Sequence, residues 1–417
     1  MSSALLTDRY ELTMLDAALA SGLAGRRAVF EVFARRLPAG RRFGVVAGQG
    51  RLAGLLRELR YEPEDIVAIR DVVRPQTRDW LTGRRLGLSV TAYPEGSAYS
   101  PGSPVLTVEG CFGEGLLLET LALSVLNADS AIASAAARMV LAAGDRPLLE
   151  MGGRRTQEQA AVSAARAAYV AGFSATSNLE AGRRHGVPTV GTTAHAFVLA
   201  HPTEYDAVRA QVAAQGVGTT VLVDTYDTAA GIRTAVEVAG SQLGAIRLDS
   251  GDPAVEVPKA RALLDELGAT GTRIVVTGDL DEHAIAALAD VPVDRYGVGT
   301  SLVIGSGAPT AGFVYKLVAI AASDDPGAPL RPVEKHSSGK STRGGRKWAW
   351  RTPDGRELLR RTPEPPAGGV ALQAPLTTHD DVRGARATCA AALAALPVEA
   401  LRLDPGPAAW TSLLEES

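Results

Sequence analysis

Polar residues follow a series of short apolar runs between residues 148 and 298 of this 417-residue chain. One of them, His195, follows Gly191 and the small residues Thr192 and Thr193. A histidine side chain titrates near neutral pH, so it can act as a nucleophile or carry a proton. A lone histidine after a strand is also a common structural hydrogen-bonding group. Because the small preceding residues leave room for its ring, we take His195 as the centre of a predicted site.

Two glycine-containing segments follow the last apolar runs of the same region. They are Gly278-Asp279 and Gly299-Thr300-Ser301. Backbone N–H groups and hydroxyls in such loops hold phosphate groups at one end of α/β barrels. Glycines that only make tight turns are the alternative interpretation. Because two loops carry the same signal, we predict a phosphate-binding role for both.

Charged side chains in the other loops predict further anion contacts. Arg154 and Arg155 follow an apolar run and could clamp a diphosphate group, or they could form a solvated charged pair. Arg247 and Asp249 lie two residues apart, so a strand would place both side chains on one face. Arg247 could hold a substrate carboxylate, and Asp249 could bind ribose hydroxyls or a hydrated Mg²⁺. A pair between these two residues inside the barrel is the alternative.

The elements that must position these residues alternate between apolar runs and alanine-rich helical segments. This alternation predicts βαβ units with a parallel sheet, and enough runs are present to close a barrel. Residues that follow the strands would then share one face, where active sites of such barrels lie. An eighth run is predicted at 313–320, and the other seven are Leu148–Met151, Phe173–Thr176, Val187–Val190, Thr220–Val223, Ala245–Leu248, Ile274–Thr277 and Tyr296–Val298.

The length of the chain predicts a second domain beside the barrel. We expect residues 147–320 to form the barrel. Thr7 is the predicted N-cap of the first helix, and residues 28–33 form a predicted strand. Short β-prone runs at 87–110 predict a small antiparallel sheet. Helices are predicted at 114–127, 130–143 and 381–396.

Composition excludes several classes of protein. With 43 Lys and Arg against 46 Asp and Glu, the chain has no charge excess that favours nucleic acid or an anionic membrane. The two cysteines form no CxxC motif or disulfide framework, and the start lacks the pattern of a secretory signal, so a cytoplasmic protein is expected. The most apolar region, 115–140, contains Glu119, Asp129 and Arg138, which predicts buried helices rather than a membrane span.

Two segments of the sequence match phosphate-binding motifs only in part. Gly48-Gln49-Gly50 resembles part of a dinucleotide fingerprint but has no clear strand before it, so we interpret it as the start of a helix. The segment 337–342 resembles the end of a P-loop, but Glu334 stands where the first glycine belongs. The cations of 335–351 could form a charged rim over an anionic substrate or a solvated loop.

The series of loop motifs resembles the nicotinate phosphoribosyltransferase family. The resemblance covers about residues 5 to 350, in the family's order, and the series is much more specific than any single motif. Gly344 departs from it, because the family often has proline at this point of the tail segment. The matching segments are Leu6–Tyr10, Glu150–Arg155, Thr176–Asn178, Gly191–His195, Asp224–Asp227, Arg247–Asp252 and Tyr315–Val318.

The resemblance implies an irregular α/β (TIM-like) barrel at residues 147–320. It implies a second α/β sandwich domain from the two ends of the chain, in which residues 1–146 are completed by residues 321–417. It implies transfer of phosphoribosyl from phosphoribosyl diphosphate to nicotinate, with Mg²⁺ and coupled ATP hydrolysis. It implies a homodimer with shared active sites.

The resemblance also implies roles for individual residues. His195 would be phosphorylated by ATP, and Tyr10, Arg247 and Thr192 would bind nicotinate. Catalytic roles would fall to His195, Arg247 and Asp249, with Asp249 also a Mg²⁺ ligand. The expected contacts to phosphoribosyl diphosphate are Arg154, Arg155, Ser177, Asn178, Asp224, Asp249, Gly278, Asp279, Gly299 and Thr300.

Three other functions fit part of the sequence. The same fold could use nicotinamide or quinolinate, but nicotinamide has no carboxylate for Arg247, and quinolinate would need more cations than the loops supply. A phosphosugar isomerase or lyase would explain Gly278 and Gly299 but gives no role to Tyr10. A silent phosphoribosyl diphosphate sensor would not need His195.

Overall fold

The computed structural model describes residues 3–335, 343–377 and 379–415. The chain divides into two compact units. The first unit comprises Met1–Ser134 with Ala308–Ser417, and the second comprises Ala135–Gly307. The predicted boundaries, after residues 146 and 320, lie later in the chain than those of the structure, which follow Ser134 and Gly307.

Helices account for most of the connections between strands. Two short 3-10 helices, Gly240–Gln242 and Val398–Leu401, add to the α-helices. The α-helices are α1 (Arg9–Ala20), α2 (Gln49–Glu58), α3 (Pro63–Ala68), α4 (Pro75–Leu81), α5 (Phe112–Leu116), α6 (Glu119–Ala143), α7 (Glu158–Val170), α8 (Leu179–His185), α9 (His195–Leu199), α10 (Glu204–Gln215), α11 (Thr228–Ala239), α12 (Pro253–Glu266), α13 (Glu282–Ala287), α14 (Thr300–Val303) and α15 (Val382–Ala394).

The strands form separate sheets within each unit. They are β1 (Arg27–Ala34), β2 (Gly44–Val45), β3 (Ser89–Ala92), β4 (Ala98–Tyr99), β5 (Leu106–Cys111), β6 (Leu148–Glu150), β7 (Ala175–Thr176), β8 (Thr220–Leu222), β9 (Ala245–Leu248), β10 (Arg273–Val276), β11 (Arg295–Val298), β12 (Phe313–Ala321), β13 (Leu330–Pro332), β14 (Trp348–Arg351), β15 (Glu357–Arg360), β16 (Val370–Ala371), β17 (Ala374–Pro375) and β18 (Leu413–Leu414).

The second unit is a parallel sheet with helices between its strands. Its strand order is β7-β6-β11-β10-β9-β8, and Thr189 bridges to Thr176 beside β7. All seven predicted runs therefore join one parallel arrangement, which confirms a mixed α/β chain. Leu149, Ala175, Ala245 and Val275, from four different strands, form one buried cluster. Strands buried in this way present all their carboxyl ends, and the loops that follow, at one edge.

The first unit contains an antiparallel sheet of order β13-β12-β1-β5-β3-β17. Residues 313–320 belong here, because β12 pairs antiparallel with β1 from Ala28↔Ile320 to Ala34↔Phe313. The prediction of an eighth barrel strand was therefore wrong. A long apolar run is compatible with the centre of either sheet type, and only its partner decides. Phe30 of β1 stacks on Tyr315 of β12 with ring centroids 5.0 Å apart.

Other predicted elements agree with the structure to within a few residues. Within the predicted antiparallel sheet at 87–110, β3 pairs antiparallel with β5, whereas β4 pairs with β2 in a separate sheet. The predicted C-terminal helix corresponds to α15. The first helix begins after Asp8 rather than Thr7, whose hydroxyl instead donates to the Glu11 carboxylate.

The predicted helix pair at 114–143 is a short helix followed by one long helix, α6. The helix continues through the expected break at Asn127 to Ser130, because helical backbone tolerates the alanines and serines of this region. By length and composition α6 could cross a membrane, but 72% of its most apolar stretch is buried in the protein. This burial is the property of a core helix.

The glycine-containing segment at 48–50 begins α2, as predicted. Gly48 has φ +100°, and its N–H donates to Glu95 at 2.5 Å. The N–H of Gly50 donates to the same carboxylate at 3.2 Å. A side-chain carboxylate thus satisfies the first amides of this helix, in the place that a phosphate would need.

The basic segment 335–351 is partly built into the first unit. Lys347 donates from its backbone N–H and its Nζ to the buried Glu31 carboxylate, at 2.8 and 2.7 Å. Arg346 pairs with Glu109. Lys340 lies outside the described residues, and Arg343 is exposed. Lys347 and Arg346 therefore serve as internal ion-pair partners rather than as part of a solvated loop.

Removing the ammonium group of Lys347 should destabilise the protein strongly. Burial raises the pKa of Glu31, and Lys347 opposes that shift. In Lys347→Met the carboxylate loses its buried counter-charge, which should lower the free energy of unfolding by about 3–5 kcal/mol at neutral pH. The loss should shrink as pH falls, because the protonated acid needs no counter-charge.

Urea unfolding of the variant across a pH series measures this effect. Lys259→Met is the matched control, since Lys259 forms an exposed pair with Glu256 at 2.9 Å. We expect a change of at most about 0.5 kcal/mol there. Equal losses in the two variants would contradict the assigned role of the buried pair.

Candidate active site

Residues from several loops of the second unit line one cavity of about 280 Å³. Each loop follows a strand of the parallel sheet at its carboxyl end. The cavity also contacts Met151, Thr277 and Gly297. Eight residues that the sequence predicted for the site are among its lining: Arg154, Arg155, Arg247, Asp249, Gly278, Asp279, Gly299 and Thr300.

Asp249 is held in place by residues that follow the two neighbouring strands, β8 and β10. The Thr277 hydroxyl donates to Asp249 Oδ1, and the Asp249 backbone N–H donates to Asp224 Oδ2 at 2.7 Å. The Ser250 hydroxyl donates to the same Asp224 oxygen at 2.7 Å. Asp224 Oδ1 is buried and has no hydrogen-bond partner among the described residues. Asp224 therefore orients the Asp249-Ser250 turn and keeps one acceptor oxygen free.

Arg247 is mostly buried beside the cavity. Its Nη1 donates to Thr192 Oγ1 at 2.6 Å and to the Thr193 carbonyl at 3.3 Å. Its Nη2 lies 3.9 Å from Asp249 Oδ2, which is too long for a hydrogen bond. Its Nε is buried without a partner in the described part of the chain. The guanidinium group therefore retains donor capacity and is not simply neutralised by Asp249.

His195 is the first residue of α9 and stands next to this cavity. Its Nδ1 lies 3.1 Å from the Thr225 hydroxyl, and its Nε2 lies 3.7 Å from Asp249 Oδ2. The side chain is 40% exposed. A bound molecule can therefore reach the ring, as the sequence predicted for a residue at the mouth of the sheet.

The first phosphate-loop candidate, Gly278-Asp279, has unusual backbone. Gly278 and Asp279 have φ +105° and +43°, in the left-handed region that favours glycine. A Cβ on Gly278 would lie 2.8 Å from the Asp249 carbonyl oxygen. The loop therefore approaches the Asp249 backbone more closely than a side chain permits.

Ser177 and Asn178 belong to a neighbouring loop that does not line the cavity. The Ser177 N–H donates to the Glu150 carbonyl at 2.8 Å, and Asn178 Oδ1 accepts the Ala181 N–H of α8 at 2.9 Å. The Asn178 side chain thus caps a helix. A contact of either residue with a substrate stays a prediction.

Tyr10 lies in the first unit, on α1, where its side chain is about half exposed. Partial burial raises its pKa to about 12, and the nearby Glu119 and Glu11 add to the shift. Its phenol is therefore neutral at physiological pH, and a contact with a substrate ring stays a prediction.

Known proteins resemble this chain over nearly all of its length. The NAPRTase N-terminal domain, from nicotinate phosphoribosyltransferase, matches residues 5–127. The nicotinate phosphoribosyltransferase pncB1 of Mycobacterium tuberculosis is 53% identical, covering 96% of this chain and 93% of its own. The chain belongs to the nicotinate phosphoribosyltransferase family. The human member is 32% identical over 76% of this chain and 72% of its own.

A solved structure of the same family has the same fold. The crystal structure of human nicotinic acid phosphoribosyltransferase superposes with a TM-score of 0.82 at 27% identity, covering 99% of this chain and 98% of that one. The sequence-based assignment to the nicotinate phosphoribosyltransferase family is thereby confirmed. These relatives also support the predictions of a nicotinate phosphoribosyltransferase enzyme and of a mixed α/β fold with a parallel sheet.

The carboxylates of Asp224 and Asp249 fit a Mg²⁺ ion that takes few of its ligands from the protein. Within residues 3–335, 343–377 and 379–415, no group of three or more His, Cys, Asp or Glu side chains is arranged to hold a metal. Mg²⁺ at phosphate-transfer sites keeps several waters and uses one or two carboxylates with substrate phosphates. The unpartnered Oδ1 of Asp224 and the carboxylate of Asp249 match that requirement.

Sequence reasoning gave no individual role to three residues that organise the site, although Glu150 and Thr225 lie in segments that resemble the family. Thr225 contacts His195, Thr277 contacts Asp249, and Glu150 accepts hydrogen bonds from two loops. Glu150 carries a detectable signal, because it is an acidic residue at the end of an apolar run. Thr225 carries a signal only through the Asp224–Asp227 segment, and Thr277 carries none, since a threonine after a strand is common.

Alanine at position 278 should destabilise the second unit and disturb the site. The left-handed backbone alone should cost about 1–2 kcal/mol, and displacement of the Asp249 carbonyl should add to that. Urea unfolding of Gly278→Ala gives the total. Gly186→Ala is the matched control, because Gly186 has φ +66° and open space around its Cβ position. If the control loses as much stability as Gly278→Ala, the close approach to Asp249 has no energetic role.

Proposed function

We propose that this chain joins nicotinate to phosphoribosyl diphosphate, forming nicotinate mononucleotide and diphosphate, with coupled ATP hydrolysis. The observation that carries the proposal is the single cavity where arginines, an aspartate and two glycine-containing loops meet. The relatives that carry the name nicotinate phosphoribosyltransferase support the same reaction. The reaction belongs to NAD salvage.

The diphosphate of the sugar substrate has matching partners in the cavity. Arg154 and Arg155 supply guanidinium groups, which bind phosphate oxygens in a bidentate manner. The loops at Gly278 and Gly299 expose backbone close to the same space. Mg²⁺ bound through Asp224 and Asp249 would neutralise charge on the departing diphosphate.

The carboxylate of nicotinate would bind Arg247. The guanidinium group keeps a buried Nε without a partner, and Thr192 orients it through Nη1. Nicotinamide would offer no opposite charge to this arginine. Nicotinate is therefore favoured over nicotinamide as the base.

Transfer requires the pyridine nitrogen to attack the anomeric carbon as the bond to diphosphate breaks. The transition state carries positive charge on the sugar ring and negative charge on the leaving group. Asp249 would bind the ribose hydroxyls and hold the sugar in line. Arginines beside the diphosphate would stabilise the charge that develops there.

His195 would couple ATP to this transfer. A neutral ring nitrogen would attack the γ-phosphorus, ADP would leave, and the phosphohistidine would later be hydrolysed. Thr225 and Asp249 lie on either side of the ring, at its two nitrogens. These contacts would hold the imidazole towards the cavity.

Further assignments follow from membership of the family. We propose a cytoplasmic homodimer in which Tyr10 contributes to a shared active site. We also propose that the parallel sheet is an irregular TIM-like barrel and that the two ends of the chain form an α/β sandwich domain. Nucleic acid and membrane are not expected partners.

Product formation by the purified protein tests the proposed reaction. Phosphoribosyl diphosphate and Mg²⁺ are supplied with nicotinate, nicotinamide or quinolinate, each with and without ATP. Nicotinate mononucleotide that increases with ATP is the expected result. Absence of product from all three bases would sink the proposal and favour a phosphosugar enzyme or a sensor.

Replacement of Arg247 should weaken nicotinate binding selectively. In Arg247→Ala the carboxylate loses a charge-assisted hydrogen bond, so the KM for nicotinate should rise about 10- to 100-fold. The KM for phosphoribosyl diphosphate should change far less. Steady-state kinetics with each substrate varied in turn give both values, and equal increases would mean that Arg247 does not bind the carboxylate.

Replacement of His195 should separate transfer from ATP hydrolysis. His195→Ala should abolish ATP hydrolysis and ATP stimulation but leave slow ATP-independent transfer, because the substrate contacts remain. His283→Ala is the matched control, since His283 is exposed on α13 and does not line the cavity. Undiminished ATP hydrolysis in His195→Ala would exclude the phosphohistidine.

A further inference from the structure

Glu150 is a fully buried carboxylate at the end of β6 that the proposed reaction does not use. Burial raises its pKa. Within the described part of the chain, its hydrogen-bond partners are all neutral donors and include no cation. A buried carboxylate is costly unless hydrogen bonds satisfy its oxygens, so the place of Glu150 in the site requires a reason.

The Glu150 carboxylate joins two loops that follow adjacent strands. Its Oε1 accepts the Gly152 N–H at 2.5 Å, in the segment that leads to Arg154 and Arg155. Its Oε2 accepts the Thr176 hydroxyl. The backbone carbonyl of Glu150 also accepts the Ser177 N–H. One residue therefore ties the arginine loop to the Ser177-Asn178 loop.

Gly152 is also closely surrounded at the position where a side chain would begin. A Cβ on Gly152 would lie 2.2 Å from Val303 Cγ1 and 3.0 Å from both Glu150 Oε1 and the Gly299 carbonyl oxygen. The arginine loop therefore packs closely against the Glu150 carboxylate and against the loop that contains Gly299. Both contacts hold its position relative to the other cavity loops.

The hydrogen-bond inventory favours a carboxylate at position 150. Thr176 Oγ1 accepts the Asn178 N–H at 2.9 Å and donates its own hydrogen to Glu150. The Gly152 N–H is a second donor to the same carboxylate. A glutamine has one acceptor oxygen, so it could accept from only one of these two donors. Even if its amide group donated to the second lone pair of Thr176 Oγ1, one hydrogen would lose its acceptor in a buried place.

We propose that Glu150 is a positioning residue that aligns the Arg154-Arg155 loop with the Ser177-Asn178 loop for phosphoribosyl diphosphate. This inference rests on the proposed function. The loops carry contacts expected for the sugar diphosphate, whereas Arg247 and Thr192 are attached to other strands. Loss of Glu150 should therefore weaken binding of phosphoribosyl diphosphate and leave the nicotinate site in place.

Three variants at this link test the proposal. Glu150→Gln keeps the shape of the side chain and removes one acceptor oxygen. Thr176→Val removes the hydroxyl, whereas Thr176→Ser keeps it. For the first two, we expect the KM and the directly titrated Kd of phosphoribosyl diphosphate to rise about tenfold or more, because each variant loses at least one buried hydrogen bond. The KM for nicotinate should change by less than about twofold, and Thr176→Ser should behave as wild type.

Glu282→Gln is the matched control for lost stability. Glu282 is a buried carboxylate of the same unit, 2.9 Å from Arg138 Nε, and does not line the cavity. Its variant should lower Tm without a selective change in the KM for phosphoribosyl diphosphate.

Three results would overturn the positioning role. One is an unchanged Kd and KM for phosphoribosyl diphosphate in both Glu150→Gln and Thr176→Val. Another is a parallel rise of both KM values that follows Tm in the Glu150 and Glu282 variants alike. A wild-type protein that neither binds phosphoribosyl diphosphate nor forms product would overturn the inference together with the proposed function, whereas an active wild type with unaffected variants overturns the inference alone.

Discussion

The common direction of the strands in the second unit is the constraint on which the site depends. In a parallel sheet every carboxyl end lies at the same edge, so the loops after β6, β9, β10 and β11 must meet. Residues more than a hundred positions apart in the chain thereby line one cavity. The chemistry of the site follows from which side chains those loops carry.

Buried charges show how the polar parts of the structure are stabilised. Glu31 receives a buried ammonium group, whereas Glu150 receives only neutral N–H and O–H donors. The first arrangement anchors the segment around Lys347 to the central strand of the antiparallel sheet. The second connects two loops at the edge of the parallel sheet. In each case a group that is costly to bury specifies one arrangement of the chain.

The positions of the strands were largely predictable, but their partners were not. Apolar run length and the alternation with alanine-rich helices located all seven segments of the parallel arrangement. The same signal failed for Phe313–Ala321, because burial on both faces gives one pattern for a central strand of either sheet. Likewise, no local residue preference showed that α6 continues past Asn127. Tertiary burial of its small side chains decides that continuity.

The sequence by itself determined the residue types of the site and the ends of strands at which they stand. His195, Arg247, Asp249 and both glycine-containing loops follow from composition and periodicity, since strand period and loop position depend on neighbours in the chain. Only the tertiary structure decided which atoms meet: Thr225 at His195, Thr277 at Asp249, and Gly152 with Thr176 at Glu150. Hydrogen bonds between loops act over a few ångströms in space, and sequence separation carries no record of that distance.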